Sequence, residues 1–217
     1  MNVWLYIVEI VGDCRRFGAE YLLSRPTSSV DVQDSGYTYY INYLLGHPIM
    51  VKGLKETSSI IAIGAEVIES AANTFTTQQV DLQLNPLDNE VFVVYGVDLD
   101  VLEPNLVAGV DTNIKASIST TSRTNVGNLA ASNVLAINRI EIQSAAGETA
   151  RGQFSSDSAP ATQLPYLGII STNDFFLNIE GANNTQARSA TCRLYGVRAK
   201  ADASVYAALV QSELLSA

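Results

Sequence analysis

The chemistry available to this chain rests on few side chains. His47 is the only histidine, and Cys14 and Cys192 are the only cysteines. Ser/His/Asp or Cys/His catalysis needs a histidine held beside a nucleophile. His47 instead sits between Gly46 and Pro48, and no Gly-x-Ser-x-Gly sequence occurs, so it reads as a turn or packing residue. One histidine and two distant cysteines do not make a zinc site. The cysteines read as a disulfide or as two buried thiols, which leaves the redox compartment open.

Carboxylates are more plentiful. Asp98 and Asp100 fall on one face of an alternating stretch, with Glu103 and Asp111 in or beside the loop that follows. Such a group suits a hard cation, making Asp98 and Asp100 candidate calcium ligands, although the EF-hand spacing is missing. A solvated strand end is the favoured reading, since acids commonly finish strands at the rim of a sheet. No cofactor is expected otherwise. Basic residues concentrate at Arg188, Arg193, Arg198 and Lys200. Arg198 and Lys200 share one strand face and Arg193 takes the other; salt bridges to neighbouring acids are favoured over a nucleic-acid patch. Gly12, Gly18, Gly46 and Gly53 are isolated, so no phosphate loop is present. The usual catalytic sets are missing, and the chain reads as a non-enzyme.

The elements that position these residues are strands. Residues 80–101 read as a hairpin, two strands joined by a turn. Val80, Leu82 and Leu84 alternate with Asp81 and Gln83, and residues 85–89 supply turn chemistry through Pro86, Asp88 and Asn89. Val91, Val93, Tyr95, Val97, Leu99 and Val101 then alternate with Phe92, Val94, Gly96, Asp98 and Asp100. Because Phe92 and Val94 are apolar too, one end of this strand is expected to be buried on both sides. Similar alternation marks 61–67, 114–118, 134–143, 166–171, 175–180 and 187–199. Residues 120–132 and 151–165 read as long polar connections, and 202–215 as a short helix capped by Asp202 or Ser204. About eight strands with hardly any helix predict an all-β fold, an eight-stranded sandwich.

Residues 1–57 differ in texture. They hold the only tryptophan and six of the ten tyrosines. They read as an N-terminal arm or added layer (a strand, a short helix and an aromatic segment) before a sandwich at 58–217. Tyr37, Tyr39, Tyr40 and Tyr43 are the candidate subunit-interface residues. The apolar run 3–11 is interrupted by Glu9 and lacks a basic flank, which argues against a signal peptide. No apolar run reaches the ~18 residues of a membrane helix. Charged residues make up 16% and the net charge is −9. That balance disfavours the domain as a nucleic-acid binder, because phosphate neutralisation needs clustered Lys and Arg.

The C-terminal pattern carries a family resemblance. Asn173-Asp174-Phe175-Phe176-Leu177-Asn178-Ile179-Glu180-Gly181 is followed by Asn183-Asn184-Thr185. A strand ending Leu194-Tyr195-Gly196-Val197-Arg198-Ala199-Lys200 and a terminal helix come next. Together with residues 80–101, this layout resembles the single jelly-roll major capsid proteins of tailless icosahedral viruses over roughly 58–217. The resemblance implies an eight-stranded jelly roll that self-assembles into an icosahedral shell in the virion, contacting neighbouring copies of itself. A strongly basic arm is absent: residues 1–30 carry Arg15, Arg16 and Arg25 against Glu9, Asp13 and Glu20. Direct nucleic-acid binding is therefore doubtful, and a lining of other virion proteins or an internal membrane suits the sequence better. The rival readings are a carbohydrate-binding or lectin-like β-sandwich and a spike or tail subunit.

Overall fold

The computed structural model describes residues 53–145, 147–156 and 164–215. Ten strands and one helix follow in order: β1 (Leu54–Glu56), β2 (Ile61–Ile68), β3 (Thr76–Asp81), β4 (Glu90–Val101), β5 (Thr112–Ser119), β6 (Val134–Ala145), β7 (Glu148–Ser155), β8 (Gly168–Ile170), β9 (Asp174–Ala182), β10 (Ser189–Ala201) and α1 (Ala203–Leu215). The compact unit containing them begins at Pro48. The first strand therefore lies inside the stretch read from sequence as an arm. No helix among the described residues is long and apolar enough to cross a membrane.

Every strand pairing among the described residues is antiparallel. One sheet runs β1-β10-β4-β8, with β2 also on β10, and the other runs β3-β9-β5-β6-β7. The pairings nest: β2 with β10, β3 with β9, β4 with β8, β5 with β6. A long antiparallel ribbon rolled into two facing sheets produces that order. The fold is a jelly roll. Strand β1 adds to the β10 edge beyond β2, and β7 extends the second sheet past β6.

The core between the sheets is built from alternating strand residues, among them Phe92, Ile114, Ile118, Phe175, Leu177 and Leu194, each at most 1% exposed. A second cluster lies on the outer side of the β10-containing sheet. There Val91, Val93, Val197 and Ala199 are covered by Leu54, Tyr166 and the α1 residues Val205, Tyr206 and Leu209. The expectation that one end of the 91–101 strand is buried on both sides is met by Val91–Val94.

Three readings need correction. The 80–101 stretch is no hairpin: β3 and β4 belong to different sheets. Pro86–Asp88 forms a 3-10 turn flanked by left-handed Gln83 and Asn89, with φ of 53° at both, and this turn carries the chain across the sandwich. Leu82 and Leu84 lie beyond the strand yet are buried in the core. The second correction concerns β4, whose alternation does not run unbroken. Its register with β10 pairs Gly96 with Tyr195 but Val94 with Gly196, leaving Tyr95 as an inserted bulge residue. Phe92 and Val94 face the core before the bulge; Val97, Leu99 and Val101 face it afterwards. Gly196 is needed opposite the bulge, where a methyl group would overlap the Val93 carbonyl and the Phe92 ring. Third, residues 148–155 are a strand rather than part of a polar loop. Their lack of an apolar face hides them, because all eight are exposed.

Candidate functional site

The bulge at Tyr95 determines where the acidic candidates point. With Val97 and Leu99 turned inward, Asp98 and Asp100 stand exposed on the outer face of their sheet. Asp98 lies opposite Arg193, and its Oδ2 accepts a hydrogen bond from the Tyr195 hydroxyl at 3.1 Å. The other two carboxylates are engaged elsewhere. Glu103 pairs with Arg151 at 2.9 Å, and Asp111 Oδ1 accepts the Ser144 N–H at 2.9 Å. Among the described residues no three acids, cysteines or histidines converge.

The basic candidates are not brought together. Arg193 is exposed on the outer face of β10. Arg198 reaches the other way, donating to the Leu82 and Gln83 carbonyls at 2.9 and 3.0 Å and pairing with Glu90 at 3.3 Å. It thereby satisfies the backbone of the crossover before the 3-10 turn, where no sheet partner exists. Lys200 pairs with Asp88 at 3.2 Å. Tyr37, Tyr39, Tyr40, Tyr43, His47 and Cys14 lie outside the described residues. Cys192 carries a free thiol against the core, and burial pushes it up to about 11, partly offset by a backbone hydrogen bond from Ala65.

Several interactions had no sequence signal. Tyr95 donates to Glu56 Oε1 at 2.6 Å, tying β1 to the bulge; burial foremost, then the Glu56 hydrogen bond and charge, hold the phenol well above its usual range. Glu213 near the end of α1 is buried and accepts from Ser171 Oγ at 2.7 Å and from Thr172 N at 2.9 Å. At one end of the sandwich three connections meet in an asparagine knot. Asn184 accepts from Asn105 N at 2.9 Å and donates to Asn113 O at 2.8 Å, while its own N–H donates to Asn73 Oδ1 at 2.7 Å. Glu69 caps the same end by accepting from Gly181 N and Arg188 N at 2.7 and 2.8 Å. These contacts join residues far apart in the chain, which local pattern cannot disclose.

Among the described residues β7 ends its sheet. It pairs with β6 on one edge only, and both of its faces are in solvent. The α1 helix presents a small apolar outer surface of Ala207 and Ala208, ending in exposed Leu214 and Leu215.

No protein-family model matches the sequence, and no curated protein is similar to it at a meaningful level. Solved structures do overlap it. A chain from the three-dimensional structure of Cocksfoot mottle virus is 10% identical, with 82% of this chain and 94% of that one covered and a TM-score of 0.30. One from Desmodium yellow mottle tymovirus is 7% identical, covering 83% and 99%, with a TM-score of 0.28. A tailspike protein from Acinetobacter baumannii bacteriophage Fri1, a capsular polysaccharide depolymerase, is 12% identical over 78% of this chain and 23% of its own, with a TM-score of 0.15. At such scores the nested strand order, not these overlaps, carries the fold.

Proposed function

We propose that this chain is a non-enzymatic virion protein, the major capsid subunit that assembles into the shell of a tailless icosahedral virus. The observation that carries the reading is β7. A strand whose residues are all exposed and whose outer edge has no partner among the described residues contributes little to an isolated subunit, and its outer row of N–H and C=O groups is a template for another chain. In a symmetric assembly the same surface recurs on every copy, so one such edge supplies a repeated contact. The jelly-roll winding and the C-terminal pattern of 173–200 agree with this role. The tyrosines at 37–43 are proposed as a further subunit contact. Neighbouring copies are the main partners, with other virion proteins or a membrane lining the interior, and the reading invokes no cofactor.

Static light scattering on the purified full chain tests the proposal. Particles or discrete capsomers much heavier than one chain are expected at some ionic strength near neutral pH. A stable monomer at every salt concentration and pH tried contradicts it.

A further inference from the structure

On the outer face of the β5–β6–β7 region, one row of directly opposed residues crosses four strands: Glu180 of β9, Lys115 of β5, Arg139 of β6 and Phe154 of β7. Two cations thus stand opposite each other at its centre, an arrangement that costs a sheet stability. Arg139 is held through Nε by Glu141 at 3.2 Å, and its terminal nitrogens have no partner among the described residues. Among the described residues the Lys115 ammonium has no salt-bridge partner, although Glu180 lies opposite.

The connection between β5 and β6 folds over the rest of this face. It is pinned by Gly127 N donating to Ser117 Oγ at 3.0 Å and by Arg123 donating to Asn133 Oδ1 at 2.8 Å. Its margin and the cationic row enclose a cleft of about 400 Å³, lined by Lys115, Val126, Asn128, Ile137, Arg139 and Phe154. Asn128 Oδ1 already accepts the Ala130 N–H at 2.9 Å, so its amide NH₂ is the part left to donate. Phe154 is 46% exposed, an apolar ring open to solvent.

We propose that this cleft binds a carboxylate-bearing sugar, of the sialic or uronic acid type. Lys115 and Arg139 would take the carboxylate as charge-assisted donors. Asn128 would bond a ring hydroxyl, and Phe154 would pack on the C–H face of the sugar. The volume lies at the small end of ligand pockets and suits a terminal sugar unit. A nucleic-acid strand fits less well. Glu141 and Glu180 flank the two cations, and the chain's net charge of −9 opposes a long run of phosphates.

Saturation-transfer NMR on the full chain, with N-acetylneuraminic acid and glucuronic acid against galactose and glucose, tests the assignment. The acidic sugars are expected to show saturation transfer that their neutral counterparts lack. Lys115→Gln and Phe154→Ala should each weaken binding about tenfold or more. Because Lys115→Gln relieves the like-charge pair, its melting temperature should not fall, which separates a binding role from a structural one. Equal signals from acidic and neutral sugars overturn the proposal, as does unchanged binding in both variants. Displacement of the sugar by a short single-stranded oligonucleotide that binds more tightly also overturns it, in favour of a nucleic-acid site.

Discussion

Tyr95 changes the face of β4 in midstrand, and the consequences are read in individual side chains. Before it Val91 and Val93 meet α1; after it Asp98 and Asp100 occupy that outer side. Across the sheet, Cys192 projects into the core beside β2. Its thiol is raised from 9.0 to about 11, chiefly by burial. A raised folded-state value means that the folded chain holds the proton more tightly than the unfolded one. The associated stability is complete below pH 9 and is lost as the pH climbs toward about 11. Tyr95, raised from 10.0 chiefly by burial, acts in the same direction from pH 10 upward. Urea titrations of the wild type should therefore show stability falling above pH 9, and Cys192→Ala should flatten the part of that fall attributable to the thiol. A wild-type profile that is flat to pH 11 contradicts the assigned burial. The bulge itself was not legible. Residues 91–97 are apolar on both faces, so alternation fits either phase, and only the register with β10 distinguishes them. The exposed position of Asp98 and Asp100 was legible, because two charges at consecutive same-face positions rarely point into a core.

At the level of elements, strands with one apolar and one polar face announced themselves, as at 61–67 and 175–180. Sheet membership did not. A turn containing Pro86 and Asn89 joins a hairpin and a crossover equally well, and the deciding pairings, β3 with β9 and β4 with β10, come from strands far along the chain. Strand β7 was hidden for the opposite reason, having no buried face to betray it. Its bonding is nevertheless clear. Ser156 N donates to Ile137 O, so by alternation Thr149, Arg151 and Gln153 turn their N–H groups to the edge that has no partner among the described residues. Gln153→Pro removes one outward donor while sparing the pairing with β6. Assembly should be strongly reduced with little loss of subunit stability; assembly at the wild-type level contradicts an edge contact there. The helix has its own anchor in Glu213. Glu213→Gln replaces one acceptor oxygen with an NH₂ group facing the Ser171 and Thr172 donors, and should cost about 1–3 kcal/mol by urea unfolding. Unchanged stability contradicts its role as the clasp for α1.

For the whole molecule, the nested strand pairing establishes a jelly roll, and the surface features argue how it is used. The all-β class was legible because period-two alternation recurs along most of the chain from 61 onward. The asparagine knot that ties three connections at one end was not, since Asn73, Asn105 and Asn184 look in sequence like ordinary turn residues. On the proposed function, the β7 edge, which has no partner among the described residues, and the rest of the surface serve closed assembly of identical copies. Negative-stain electron microscopy of the purified full chain under assembling conditions tests that most directly. The expected images are closed, uniform particles whose class averages carry five-, three- and two-fold symmetry. Single 23.3 kDa subunits, or open fibres without closure, contradict it.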